Sequence, residues 1–178
     1  MSRPRSDTRQ RIQEVARDLF ARRGVQRTSL QDIADELGIT KPALYYHFSS
    51  REELVRSILV PLIDEGEQFV ADQERHGDTD VRELLEGYFD FHYRHREDLV
   101  LVLAELTALA DLGLIDKVLA WRDRLGKLVF GPNPTLAQST RAVVAFGGLQ
   151  DCCLQFPDTP YEALRATSVE AALAALGK

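Results

Sequence analysis

The sequence predicts an all-α protein. Apolar residues recur at helical spacing through most of the chain, capping residues stand at the starts of the periodic segments, and no segment shows the sustained alternation of a strand. About nine helices are expected, divided between an N-terminal three-helix domain over residues 1–51 and a C-terminal helical domain over 52–178. Hydrophobic residues make up 44% and charged residues 28% of the 178 positions, which excludes disorder as the main theme. There is no internal repeat or low-complexity tract.

In the first helix, Ile12, Val15, Ala16, Leu19 and Phe20 form one apolar stripe, with Ser6 or Asp7 to cap its start and Gly24 to end it. Arg9, Arg11, Arg17 and Arg22 lie on its other face. Ser29 stands three residues before Asp32, a near capping box for a short second helix whose buried positions are Leu30, Ile33, Ala34 and Leu37. Gly38 stops it. Thr40 caps a third helix, with Pro42 in the first turn, where a missing N–H costs little, and with Leu44 and Phe48 directed inward. Ser50 and Glu53 read as a capping box for the fourth helix, whose apolar positions are Leu54, Val55, Ile58, Leu59, Leu62 and Ile63. Pro61 removes one backbone hydrogen bond inside that helix and predicts a kink at the junction of head and body. Further helices are expected over 81–95, 97–110, 111–130, 135–156 and 161–176, the last three separated by Gly131-Pro132-Asn133-Pro134 and by Pro157-Asp158-Thr159-Pro160.

The net charge of −6 conceals an asymmetry. Residues 1–51 hold ten Lys/Arg against six Asp/Glu, and residues 52–178 hold twelve against twenty-two. A basic head on an acidic body suits a head that meets phosphate. The start of the chain has no apolar signal-peptide region, and the most apolar stretch, Leu99 to Ala104, stops at Glu105, so a cytoplasmic protein without a membrane span is expected. Cys152 and Cys153 are adjacent and have no zinc-ligand spacing. They read as small helix-packing residues, with a thiol sensor as the alternative.

Two short helices joined by a tight Gly-containing turn form a helix-turn-helix pattern. Gly38-Ile39 supplies the turn, Ile33, Ala34 and Leu37 support Leu44, and Thr40, Lys41, Tyr45, Tyr46 and His47 offer donors to DNA. Residues 8–55 resemble the DNA-binding domain of the TetR family, most specifically Thr28 to Ala34, the Gly38-Ile39-Thr40-Lys41 turn, and Ala43-Leu44-Tyr45-Tyr46-His47-Phe48 leading to Arg51 and Glu53-Leu54. One departure is Val25, where the family usually has an aromatic residue.

The resemblance implies a dimeric, ligand-responsive repressor of palindromic operator DNA, without enzymatic activity. It also implies roles. Ser29 caps the second helix and touches phosphate. Gln31, on that helix, sits where family members often reach a base or the backbone. Lys41 and Ala43 match its base-facing start, Tyr45 and Tyr46 contact phosphate or a base edge, and His47 and Arg51 meet phosphate. Lys, Arg, Tyr and Ser are the common phosphate donors, and helix N-termini add their dipoles.

The resemblance further implies dimerisation through the last two helices, where Val143, Val144, Gly147, Gly148 and Cys152, and Leu164, Val169, Ala172, Leu173 and Leu176, form narrow surfaces of small and apolar residues. The candidate effector-binding residues are Phe89, His92, Leu103, Leu106, Trp121, Phe146 and Gln150, a set that favours a small apolar or aromatic molecule oriented by His92 or Gln150. Ordinary core packing is the competing reading for each. His92 and His95 are spaced as a metal pair, but the charged residues around them argue for no metal. No cofactor motif, phosphate-cradling glycine loop or nucleophile–base signature is present. Two other readings remain open: a TetR-like structural DNA binder without an effector, and a helical small-molecule-binding protein or enzyme whose head only resembles a DNA reader.

Overall fold

The computed structural model describes residues 5–77, 80–104 and 114–178. Among them are nine α-helices and no strand: α1 Arg5–Arg23, α2 Leu30–Leu37, α3 Lys41–Tyr45, α4 Arg51–His76, α5 Val81–Arg94, α6 Arg96–Ala104, α7 Leu114–Phe130, α8 Leu136–Gln155 and α9 Tyr161–Leu176, with a 3-10 turn at Val25–Arg27. The chain divides into two compact units, Met1–Leu62 with Glu97–Leu112, and Ile63–Arg96 with Gly113–Lys178. The first unit thus takes in the front of α4 and most of α6 in addition to the 1–51 segment.

In the first unit Ile12, Ala16, Leu19 and Phe20 of α1 are buried, as are Ile33 and Ala34 of α2, Leu44 of α3, Phe48, and Leu54, Val55, Ile58 and Leu59 of α4. Val25 is buried too, so the aliphatic side chain fills its place in the core. Thr28, the one buried polar residue of this unit among those described, donates its hydroxyl to the Gly24 carbonyl at 2.9 Å, which meets its hydrogen-bonding demand. Asp98 of α6 accepts from Arg17 Nε of α1 at 2.7 Å. The start of α4 differs from the expected capping box. Ser50 Oγ accepts the Glu53 N–H at 3.1 Å, but the Glu53 carboxylate takes the amide and hydroxyl of Ser49, at 2.8 and 2.7 Å. The two halves of the box are shared between neighbouring serines.

Helix α4 runs through Pro61. A proline cannot donate to the carbonyl four residues back, here that of Ser57. That carbonyl instead accepts from Gln13 Nε2 at 3.2 Å, and the same amide reaches Ser57 Oγ at 2.9 Å. A side chain of α1 therefore replaces the backbone donor that Pro61 lacks. Gln13→Ala is expected to lower stability by about 1 kcal/mol, the low end for a half-buried acceptor left unpaired. The urea midpoint checks this, and an unmoved midpoint would mean that water serves the carbonyl equally well.

The second unit packs α5, α7, α8 and α9 around Leu84, Leu85, Tyr88, Phe89, Trp121, Leu125, Phe146 and Leu149. The Trp121 ring lies so close to Gly66 of α4 that a Cβ there would overlap it, which is why this position holds glycine. The indole N–H donates to Glu67 at 2.8 Å, and Arg124 bridges Glu67 at 2.6 Å and Glu74 at 2.7 Å. The Arg124 hydrogen bonds hold both carboxyls below the usual carboxylate range. On the other side of the unit, Arg165 and Tyr161 of α9 converge on Asp90 of α5, at 2.8 and 2.7 Å. Thr135 and Gln138 form a complete capping box at the start of α8.

Candidate functional site

The helix-turn-helix is built by local rules. Ser29 Oγ accepts the Asp32 N–H at 3.1 Å while the Asp32 carboxylate accepts the Ser29 N–H at 2.7 Å, a full capping box for α2. The Ser29 hydroxyl also donates to Asp32 at 2.6 Å, and these bonds pull the Asp32 carboxyl below its ordinary range. Gly38 ends α2 at φ 66°, a left-handed conformation that glycine adopts without a Cβ penalty. The Ile39 N–H then donates to the Ala34 carbonyl at 3.0 Å. This tight exit leads directly to Thr40, whose hydroxyl accepts the Ala43 N–H at 3.3 Å and starts α3.

Helix α3 presents a sharply divided surface. Leu44 and Phe48 are fully buried, whereas Thr40, Lys41, Pro42 and Ala43 are exposed and Tyr45 and Tyr46 are 44% and 64% exposed. The Lys41 ammonium lies 5.6 Å from the Tyr45 ring centre, and the Tyr46 and His47 rings meet edge to face at 5.4 Å.

The remaining sequence-predicted residues of this group lie around α3 with partners of their own. Gln31 Nε2 donates to Asp35 at 2.6 Å along the outer face of α2. Arg51 reaches the Val25 carbonyl and Gln26 Oε1, both at 3.3 Å, and so ties the start of α4 to the 3-10 turn. One residue missed from the sequence is Arg9. Its guanidinium donates to the His47 carbonyl at 2.8 Å and sits 4.2 Å above the Phe48 ring centre, which holds the end of α3. Its spacing marks only the polar face of α1, because its partner is 38 residues away.

In the second unit the structure brings together His92, Phe146 and Gln150 through two residues outside the predicted set, Tyr88 and Arg122. Tyr88 packs on His92 at 4.1 Å and on Phe146 at 5.1 Å between ring centres. Arg122 of α7 donates to Gln150 at 2.7 Å and lies close enough to Tyr88 to oppose the rise that burial imposes on the phenol. Phe89 faces elsewhere, toward Tyr93 and Tyr161, and Trp121 is occupied by Gly66 and Glu67. Leu106 and the side chain of Leu103 lie outside the described residues. Val143 and Val144 are exposed on α8. Gly148 faces open space, whereas Gly147 faces the Arg122 guanidinium, and Leu164 and Leu173 are buried within their own chain. Cys153 is buried with its thiol pushed up to about 12, chiefly by that burial, and Cys152 is half-buried.

His92 is 4% exposed, and burial lowers its pKa to about 4. Its Nδ1 lies 2.8 Å from the Tyr88 carbonyl, so the neutral ring carries its proton there and leaves Nε2 as an acceptor. With a folded value below the unfolded value of 6.5, the unfolded chain takes up a proton at this position and the folded one does not. Stability from this residue is therefore fully present above pH 6.5 and lost as pH falls toward 4, by on the order of 3 kcal/mol in all. His92→Phe is expected to flatten this acid limb in urea denaturation measured at steps between those pH values. A limb as steep as that of the wild type would assign the pH dependence to other groups. Among the described residues no cluster of three His, Cys, Asp or Glu side chains is placed to hold a metal ion, and no helix is long and apolar enough to cross a membrane.

The family model described as bacterial regulatory proteins, tetR family, matches residues 12–58, the segment that builds α2, the turn and α3. The HTH-type transcriptional regulator TtgR of Pseudomonas putida is 36% identical over 88 residues, 47% of this chain and 42% of its own length. The matched segment thus spans less than half of the curated relative. Over nearly the whole chain the fold is that of a transcriptional regulator from Aquifex aeolicus, with TM-score 0.73, 23% identity and coverage of 92% of this chain and 96% of that one. It is likewise that of the ketosteroid transcriptional regulator KstR2 of Mycobacterium tuberculosis, with TM-score 0.72, 22% identity and coverage of 96% and 93%. The capped α2, the glycine turn and the exposed α3 all fall within the segment 12–58 that matches the tetR family model, and the fold of the chain is that of these solved transcriptional regulators.

Proposed function

We propose that the chain is a ligand-responsive transcriptional repressor that binds palindromic operator DNA as a homodimer in the cytoplasm and is released by a small-molecule effector. It acts by binding, without catalysis or cofactor. The observation that carries this reading is the exposed row Lys41, Ala43, Tyr45 and Tyr46 on a short helix whose back, Leu44 and Phe48, is sealed in the core. Such a helix fits the major groove, with phosphate contacts setting its register.

Dimerisation is supported by a shallow groove of about 190 Å³ along α8 and α9, lined by Val144, Gly148, Cys152, Ala171 and Ala175, where small residues let a partner helix approach closely. A two-fold dimer places two α3 helices on half-sites about 34–36 Å apart, or a multiple of that. The effector role is supported by the aromatic and polar interior of the second unit around Tyr88, His92, Phe146 and Gln150. In this reading the effector favours one arrangement of that interior, and the half-site spacing leaves the value DNA demands.

The test is fluorescence anisotropy with DNA flanking the gene, for wild type and Tyr45→Ala, across a salt series. Tight binding that weakens with salt and fails in the variant supports the operator reader. Absence of binding turns the reading to a small-molecule-binding protein.

A further inference from the structure

Arginines of the second unit are typically neutralised. Arg82 pairs with Glu170, Arg94 with Glu65, Arg124 with Glu67 and Glu74, and Arg165 with Glu86 and Asp90. Arg96, Arg122 and Arg141 have no such ion pair among the described residues, and of these three Arg122 is set apart by a buried Nε. Among the described residues no carboxylate pairs with it, and its neighbours are neutral: the Gln150 amide, the Tyr88 phenol and His92, whose ring stays uncharged. Its Nε is fully buried and has no acceptor. The nearby acid Asp123 is already tied to Lys127 at 2.6 Å. A guanidinium that is partly desolvated, unpaired and one acceptor short is costly, because buried charges are normally paired and hydrogen-bonded.

The same residue borders a groove of about 180 Å³ between α7 and α8, whose apolar walls include Leu119, Pro134, Ala142 and Val143 and whose polar ones are Ser139 and Asp123. These walls are mostly apolar. A cavity of roughly this size holds a molecule such as benzene.

We propose that this groove binds a small organic carboxylate, its alkyl or aryl body against Leu119, Pro134 and Ala142 and its carboxylate on the Arg122 guanidinium. The planar fork of arginine matches a carboxylate through two parallel hydrogen bonds. A bound carboxylate supplies the missing counter-charge. Neutral molecules of the same shape do not, so the site selects for acids. The consequence for DNA release rests on the effector role proposed above. The binding itself does not.

The experiment uses the full-length protein and two matched sets of probes: hexanoate, octanoate and benzoate, and the corresponding amides. Binding is measured by calorimetry and by thermal unfolding, for wild type, Arg122→Gln and Arg122→Lys. The acids are expected to bind wild type at least about tenfold more tightly than the amides, and to lose at least about tenfold in Arg122→Gln. Arg122→Lys, which keeps the charge and loses the fork, is expected to fall between. Without ligand, Arg122→Gln is expected to melt at or above the wild-type temperature, because an unpaired charge has been removed. A ligand-free Arg122→Gln that melts well below wild type would overturn the proposal by showing the guanidinium to be a structural element. Amides that bind as tightly as acids, acids that bind Arg122→Gln undiminished, or no binding by any probe would overturn it as well. Acids that bind through Arg122 without releasing DNA would uphold the site and defeat the effector role.

Discussion

The double substitution Lys41→Ala and Tyr45→Ala is expected to weaken operator binding by about a hundredfold or more at moderate salt. The magnitude follows from what each side chain offers. A bidentate base contact by lysine is worth about 1–3 kcal/mol of discrimination, and each phosphate neutralised adds an electrostatic share that shrinks as salt rises. Both residues are exposed on the face of α3 opposite Leu44, so their loss leaves the core untouched. The single Lys41→Ala variant separates the two roles. A lysine on phosphate weakens binding alike for all sequences and lowers the salt slope by about one, whereas a lysine on a base relaxes specificity at one position. Anisotropy titrations with the flanking DNA and with single-base variants read both. Affinity equal to that of wild type in the double variant would remove α3 from the role of reading helix.

Phe48→Ala is expected to carry the largest cost in stability, about 3–5 kcal/mol, because the ring is fully buried at the end of α3 and carries the Arg9 guanidinium on its face. Against a typical total of about 5–15 kcal/mol, that loss removes a large share of the stability of the first unit. The single tryptophan, Trp121, belongs to the second unit, so its fluorescence reports on that unit while circular dichroism reports on both. If the units unfold independently, the dichroism midpoint falls while the fluorescence midpoint holds. If they unfold together, both fall. A dichroism signal that shifts by less than about 1 kcal/mol would contradict the burial of Phe48.

The parts of this protein that were readable from the residues in order share a physical property: their causes are local. The capping box of Ser29 and Asp32, the left-handed Gly38, the Thr40 cap and Pro42 in the first turn all act within three or four residues, and each stands in the structure as its spacing predicts. The apolar stripes of α1, α2 and α4 were equally clear, because burial on one helical face follows directly from a 3.6-residue period. Even here locality had a limit. Ser49 and Ser50 are adjacent and both able to cap α4, and the side-chain conformation of Glu53 decided that the cap would be shared between them.

By itself the sequence determined the helical class, the number and order of the described helices, and the residues that face outward from α3. Tertiary structure decided what those helices do to one another. Gln13 serves the carbonyl stranded by Pro61, and Arg9 holds the carbonyl of His47, across separations of 44 and 38 residues. Gly147 and Gly148 are indistinguishable as letters, yet one faces an arginine and the other open space. Leu164 and Leu173 have the apolar character of an interface but are buried in their own chain. Arg122 is one of many arginines until its buried Nε, without an acceptor, is seen. Periodicity specifies which face of a helix is apolar. Which partner meets that face, and which buried charge is left without one, depends on how distant segments pack, and no local pattern encodes it.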